Sequence, residues 1–598
     1  MLVSTFLLTS TVSSISIANT KKQIQQKKLD LPSSFDLRDY DGKDYVTKVK
    51  DQIGGTCWTH GVMASMESNL LMTDNWDNHD EVGEPNLAEY HLDWWNGFNS
   101  FNNDDASEPG GLEVHYGGDY LVASAYISRG EGAVRDTDGQ SFDPAPPRYE
   151  NDFHLYYPHD IEWYTAGENL ENIDLIKEKI MTEGAIGTAL CYNSGYINNN
   201  YVHYQPPTSS SPPNHAVTIV GWDDNKETQA SEGPGAWLIK NSLGRNWGHM
   251  GYFWISYYDK HCCQHPEMGA VSFQDVDLFE YDTVYYHDYH GWRDTKTDCK
   301  KVFNAFTVQE NSLLQAVSFY TAKNNVEYEL VVYDRFENGD LSIPIITETG
   351  TIDFKGLHTI DLAYPIGFEQ GDDFYLYLYL SDGGQAFDRT SIVPVLLTIK
   401  PTLNTVVESS AKAGQSYYFS DSKWKDLFFT PLGDPTWFGT ANFCVKGLSS
   451  DWVPTNPQLD AYDEINLRGA KAGSKIDTDI YIENVGEELS SLFWQITDYP
   501  DWGTWSFSSL SGDYLKPESG AEKISVSIRL PMQRNTELTG EITIINREDA
   551  NNEISIPVYI KTSKPLSKTF TPINSIIAKI LSLDTPLFNR ILEQIKTI

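Results

Sequence analysis

A chain of 598 residues is too long for a single hydrophobic core and divides into roughly three or four units at ordinary domain sizes. Hydrophobic residues at 40% and aromatics at 13% exclude an intrinsically disordered protein. A formal charge of -40 argues against a nucleic-acid backbone as partner, since binding to phosphates requires clustered Lys and Arg.

The opening run MLVSTFLLTSTVSSISIA, residues 1–18, is apolar and closes on the small-x-small triplet Ser16-Ile17-Ala18, so it reads as a signal peptide lacking a basic n-region. An extracellular protein, secreted or held at the cell surface, is expected. No other stretch reaches the ~20 apolar residues of a membrane-spanning helix, so no transmembrane segment is expected. Residues 19–30, NTKKQIQQKKLD, read as a short propiece or linker.

From 31 to 277 helix and strand signals mix. Trp58, Val62 and Met66 recur at helical spacing, while AVTIVGW, AWLIKNS and GYFWISYY read as short strands, which makes an α+β domain. Over 278–448 the pattern turns to strands: YELVVYDR, the turn Asn338-Gly339, the strict alternation of FYLYLYL, and VPVLLTIK predict a β-sandwich. After a linker-like SSDWVPTNPQ, the segments IDTDIYIENVG, ISVSIRL, GEITIIN and EISIPVYIKT predict a second, immunoglobulin-like sandwich over 449–562. The tail 563–598 carries Pro586 at a helix start and Leu587, Phe588, Ile591, Leu592, Ile595 and Ile598 on one face. The expected fold is therefore multidomain: an α+β domain, two all-β sandwich domains and a C-terminal amphipathic helix.

Chemistry concentrates in three segments. VKDQIGGTCWTHGVMASM places Cys57 after a Gly-Gly-Thr turn at the start of a predicted helix, whose positive end favours the nucleophilic thiolate. PPNHAVTIVGWDD places His215 at the head of a predicted strand, and WLIKNSLGRNWGHMGYFW places Asn241 at the end of another. Alone, Cys57 would read as a buried structural thiol; the ordered Cys, His and Asn argue for a nucleophile with a proton acceptor.

These three segments resemble the papain family of cysteine peptidases. The resemblance implies Cys57 as nucleophile, His215 as base and then acid, Asn241 as the residue orienting its ring, and Gln52 with the Cys57 amide as oxyanion donors. It extends to LPSSFDLRD near a mature amino terminus and to NLAEYHLDWW. It places Gly117, Gly118, Asn214 and Trp247 along the substrate cleft. The region 278–448 resembles the lectin-like domain that follows papain-like domains in some bacterial and archaeal surface proteins.

The chain also departs from the family. Gly54 and His115 stand where a disulfide is usual, Leu243 stands where a tryptophan usually covers the His-Asn pair, and the spacing from Gln52 to Cys57 is one residue short. His60, in place of a usual aromatic, reads as a helix-packing residue. Six cysteines make no disulfide framework. With Cys57 free, Cys191, Cys262, Cys263, Cys299 and Cys444 remain, and Cys299 with Cys444 is the pairing to test.

No cofactor or metal is expected. The run from Asp39 to Asp44 lacks the rest of a calcium loop, and His261-Cys262-Cys263-Gln264-His265 has the wrong spacing for zinc. The reading is a secreted or surface-associated cysteine peptidase acting on protein or peptide, with a glycan or cell-surface ligand as a further partner of the β-sandwiches and no nucleic acid. Two alternatives stand beside it: a catalytically weak or inert scaffold in a glycan-binding adhesin, favoured by Leu243, and a transpeptidase that passes the acyl group to an amine.

Overall fold

The structure, a computed structural model, describes residues 31–106, 110–394 and 404–563. The expected signal peptide (1–18), the propiece (19–30) and all but the first residue of the tail 563–598 lie outside the described residues.

The first domain is built around α1 (Cys57–Thr73), which buries Trp58, Val62, Met63, Met66 and Leu70 and, with them, the polar His60, Ser65, Glu67 and Asn69. A helix buried on nearly every side is one enclosed by its domain. Around it stand α2 (Glu89–Trp95), α3 (Tyr120–Ser128), whose Asp119 accepts from the Val122 amide as N-cap, and α4 (Ile173–Glu183). The strands are β1 (Tyr156–Tyr164), β2 (Ile186–Leu190), β3 (His215–Asp223), β4 (Ala236–Lys240), β5 (Tyr252–Ser256) and β6 (Ala270–Leu278). They lie antiparallel in the order β5-β4-β3-β2-β6-β1. Near-continuous burial of β2, β3 and β4 shows both faces covered.

The sandwich that follows uses β7 (Lys301–Thr307), β8 (Ser312–Thr321), β9 (Val326–Glu337), β10 (Asp340–Ile352), β11 (Gly356–Phe368), β12 (Asp373–Leu380), β13 (Ser416–Ser420), β14 (Lys423–Asp426) and β15 (Val445–Asp451). Asn338 and Gly339, both at positive φ (55° and 87°), close the β9–β10 hairpin, as their dipeptide predicts. One sheet runs β10-β9-β12-β7-β13-β14. The other, β11-β8-β15, is not a separate sheet: β11 pairs with β1, so the first domain's sheet runs straight into the sandwich.

The register at this seam is Gly356 opposite Glu162, Leu357 opposite Ile161 and His358 opposite Asp160. Side chains fasten it further: His358 Nδ1 lies 2.6 Å from Asp160 Oδ1, and the hydroxyls of Tyr157 and Thr359 are 2.9 Å apart. Across the same boundary His290 Nε2 donates to the Gly97 carbonyl (3.0 Å), and Asp105 accepts from the Ser410 amide and hydroxyl (2.6 Å each). Pairing of this kind is invisible to alternation, which identifies a strand but not its neighbour.

The last sandwich has a four-stranded sheet and a five-stranded sheet, closed over Trp494 and inward-facing residues such as Ile480, Ile524, Ile544 and Ile560. Within it Ile465–Ala470 runs parallel to Glu553–Thr562.

Cys299 and Cys444, the pairing singled out for test, form no disulfide. All six thiols are free, and each is buried. Cys299 packs in the sandwich core with its Sγ directed at the Lys301 carbonyl (3.4 Å), whereas Cys444 packs at the seam with the first domain. A buried thiol packs as a small apolar group and needs no partner.

A Cβ at Gly356 would sit far inside van der Waals contact with the Ile161 carbonyl oxygen, a backbone atom that cannot swing away. Gly356→Ala should therefore strain the seam by about 1–3 kcal/mol, seen as a lower first thermal-unfolding midpoint.

Candidate active site

Strand geometry delivers two of the sequence-predicted side chains to one place. β3 and β4 are antiparallel neighbours with Thr218 opposite Lys240, so His215 at the start of β3 and Asn241 just past the end of β4 share one end of the sheet. His215 Nε2 lies 2.8 Å from Asn241 Oδ1. A carboxamide oxygen only accepts, so Nε2 carries the proton and Nδ1 keeps the lone pair. That oxygen also accepts from the Ser242 amide (2.8 Å), which fixes its direction.

Cys57 opens α1. A tight turn precedes it: Gly54 has φ +73°, Thr56 Oγ1 donates to the Ile53 carbonyl (2.9 Å), and the Gly55 amide donates to the His115 carbonyl (2.7 Å). The amide of Ala216, the residue after His215, hydrogen-bonds the sulfur and favours its thiolate, as do the amides of Trp58 and Cys57. The Cys57 sulfur therefore lies near the amide that follows His215. Cys57, His215 and Asn241 are only 3%, 7% and 2% exposed. Burial pushes the thiol up to about 11 and the imidazole down to about 4, because each would carry a lone charge in a dry place. Burial thus favours the uncharged form of each.

Gln52 is bound at both ends of its carboxamide. Oε1 accepts from Ser242 Oγ (2.6 Å) and Nε2 donates to the Gly54 carbonyl (2.9 Å), so the side chain bridges the Asn241 loop and the turn before Cys57. Its second amide hydrogen is not used by these bonds.

Gly117 and Gly118 run beside that turn, where Tyr116 pairs with Gly55. A Cβ on Gly118 would meet the Trp58 ring at 2.6 Å, so the glycine lets this segment lie flat on α1. A Cβ on Gly54 would be 3.3 Å from that of His115. These two positions, where the family resemblance implies a disulfide, are adjacent here without one. His115 is held instead by Asp93 (Nδ1 to Oδ2, 2.5 Å) and by stacking on Phe142 at 3.8 Å.

Asn214 spends its side chain on Tyr192: Oδ1 accepts from the Tyr192 amide (2.7 Å) and Nδ2 donates to its carbonyl (3.3 Å). Trp247 donates to the Tyr192 hydroxyl (3.1 Å). The Tyr192 ring stands edge-on to His215 at 5.5 Å. Aromatic cover for the imidazole thus comes from Tyr192, a residue the sequence reading missed, and Leu243 is tied to Asp51 in a β-bridge. His60 is turned into its own helix, Nδ1 at 2.8 Å from the Thr56 carbonyl, in keeping with a packing residue.

Behind the site lies a charged layer also missed from sequence. Lys50 Nζ bridges Glu67 (2.7 Å) and Glu89 (2.6 Å), Glu67 accepts from Thr47 Oγ1 (2.5 Å), and Lys240 donates to that same oxygen (2.9 Å). Burial lowers Lys240 to about 8. Lys50 and Glu89 lie within VKDQIGGTCW and NLAEYHLDWW, but nothing local in either segment signals that both meet one lysine-centred cluster with Glu67.

Two family models match the chain. The model described as "Papain family cysteine protease" covers residues 121–272, and "Lectin like domain" covers 284–449. Curated relatives include cathepsin Q of Rattus norvegicus, 26% identical over 257 residues, and procathepsin L of Felis catus, 27% over 254. These alignments take in 40% and 39% of this chain, and 66% and 64% of the relatives, so the chain spans just under two thirds of their length. Among solved structures, the clostridial cysteine protease Cwp84 after propeptide cleavage superposes with a TM-score of 0.55 at 21% identity, over 70% of this chain and all of that one. The cysteine protease and lectin-like domains of Cwp84, described as a surface layer associated protein of Clostridium difficile, give 0.54 at 21%, over 71% and 90%. At that identity the likeness is one of fold, and it includes the order of the domains.

An imidazole held near 4 stays neutral, and able to take a proton, at every pH above that value, and loses the capacity below it. Alkylation of Cys57 by iodoacetamide should therefore persist in mild acid and fall away as pH drops through about 4. Intact-protein mass spectrometry across a pH series measures it.

Proposed function

We propose that the papain-family cysteine peptidase domain of this chain, which a lectin-like domain follows, hydrolyses peptide bonds through a Cys57 acyl-enzyme. The observation that carries this reading is the His215–Asn241 hydrogen bond at 2.8 Å, made at the end of the sheet against which the Cys57 sulfur rests. A His whose Nε2 proton is committed can accept at Nδ1 only, and in the proposed reaction the Cys57 thiol is the group that gives a proton there.

The steps follow from these groups. His215 Nδ1 takes the Cys57 proton as sulfur attacks the peptide carbonyl, and the charge moves to the carbonyl oxygen. The Cys57 amide at the start of α1 and the second Nε2 hydrogen of Gln52 donate to that oxygen. His215 then gives its proton to the departing amine. Water, deprotonated by the same imidazole, attacks the thioester and regenerates the thiol. In a site this dry, charge forms on sulfur and imidazole together, so each cancels the burial cost of the other.

Partners and place belong to the same proposal. The substrate is protein or peptide in extended form, laid beside the main chain at Gly117 and Gly118, where the absence of Cβ atoms permits close approach. The apolar run at residues 1–18 and the surface-layer association of the Cwp84 neighbour support an extracellular protein held at a cell surface, with a glycan as the ligand of its lectin-like domain. Among the described residues no helix is long and apolar enough to cross a membrane. Of the two alternatives, the inert scaffold loses its motive, since Tyr192 covers the imidazole that Leu243 leaves uncovered.

Cys57→Ala should abolish turnover of casein and labelling by a thiol-directed epoxide; undiminished turnover refutes the assignment. Gln52→Ala should lower kcat by ~100- to 1000-fold with KM little changed, because the donor serves an oxygen that is charged only in the transition state. Steady-state kinetics on a short peptide ester and amide read both parameters.

A further inference from the structure

The lectin-like sandwich carries more aromatic surface than its core uses. Along β12, Phe374, Leu376, Leu378 and Leu380 point inward, while Tyr375, Tyr377 and Tyr379 point to the other side of the sheet. The register sets Phe303 of β7 between Tyr377 and Tyr417 of β13, so rings run across several strands. Only the middle of this face is closed: Phe303 is fully buried, whereas Tyr375 and Tyr417 remain half-exposed. Tyr417 stacks on Phe303 at 4.6 Å and 13°, which leaves its opposite face as the open one.

A groove of about 840 Å³ opens at these rings, walled by Tyr286, Phe336, Tyr375 and Tyr417 and edged by Asp373 and Gln415. A second groove, about 870 Å³, shares Phe336, Asp373 and Tyr375 with it and continues to Trp452 and Phe493 at the border with the last sandwich. The two grooves adjoin at these shared residues, a trough in two parts. Its rims are acidic: Glu310 and Asp373 edge the first part and Glu369, Asp372 and Glu548 the second, against Lys412, Arg335 and Arg547.

A pyranose has apolar C–H faces and a hydroxyl edge. Its face lies on an aromatic ring while its hydroxyls donate to carboxylates and amides, which is the pairing the trough offers. An apolar helix seated here would strip water from the rim carboxylates without replacing their hydrogen bonds. An anionic polymer would meet acidic walls on a chain of net charge -40.

We propose that this trough binds a neutral oligosaccharide along its length, with Tyr417 and Tyr375 as stacking platforms and Asp373 as a hydroxyl acceptor. The proposal rests on the glycan-binding part of the functional reading and is independent of the peptidase chemistry.

Titration calorimetry of the full chain with cellohexaose, the N-acetylglucosamine hexamer and mannohexaose, and with polygalacturonate as the anionic probe, tests it. At least one neutral hexamer should bind, and Tyr417→Ala, Tyr375→Ala and Asp373→Asn should each weaken it, the two tyrosines by about 5- to 100-fold, as is typical for loss of one stacking ring. Turnover of a short peptide should be unchanged in all three. Asp373 is exposed, so Asp373→Asn, with Tyr417→Leu, keeps the test open if an alanine variant misfolds. Failure of every neutral hexamer at millimolar concentration, binding that ignores these substitutions, or binding of polygalacturonate alone overturns the proposal. Loss of peptide turnover in the wild-type chain with sugar binding intact would instead overturn the peptidase reading.

Discussion

Main-chain pairing of Gly356–Phe368 with Tyr156–Tyr164 carries hydrogen bonds across the boundary between the peptidase-family domain and the sandwich, and the arrangement of both follows from it. Because β1 lies beside β6 and β6 beside β2, the strand holding His215 belongs to the same sheet as the lectin-like β8 and β15. Two domains joined by a linker would drift relative to each other. Here a shift of one residue would turn Ile161 and Leu357 out of the core, so register fixes the relation of groove to sandwich. His358 against Asp160, and His290 on the Gly97 carbonyl, then lock what the backbone aligns.

The electrostatics of the site follow from dryness more than from any one partner. Cys57, His215 and Lys240 are all moved toward their neutral forms, and in each case burial is the leading cause. Lys50 goes the other way and keeps its charge, since Glu67 and Glu89 both contact it. The acidic pair and the lysine between them form a compensated unit beneath an uncompensated reacting pair. Polarity is thus spent on holding the loops before α1 and after β4, while the reacting atoms are left in a medium where a newly formed charge is felt strongly.

What could be read from the residues alone was whatever is local. Cys57 after a glycine turn, His215 heading a strand and Asn241 ending one are each set by a few neighbouring residues, and the structure brings His215 and Asn241 within a hydrogen bond of each other. The Asn338-Gly339 hairpin and the alternation of β12 were legible for the same reason. Contacts between distant segments were not. Tyr192 covers His215 only because Asn214 anchors its backbone, and nothing in CYNSGY signals that. The seam between β1 and β11 joins residues almost 200 apart. The free thiols of Cys299 and Cys444 show the limit of counting, because apolar packing satisfies a thiol as fully as a bond does.

The turn before the nucleophile is held by the Gly55 amide on the His115 carbonyl, by His115 on Asp93 and by a ring stacked on Phe142, with no sulfur bridge at all. None of those contacts transfers electrons. The shape of the loop that presents the Cys57 sulfur is accordingly indifferent to the redox state of its surroundings. Reductant can keep that thiol reduced without loosening the scaffold around it, a separation that a cystine bridge across the turn would not allow.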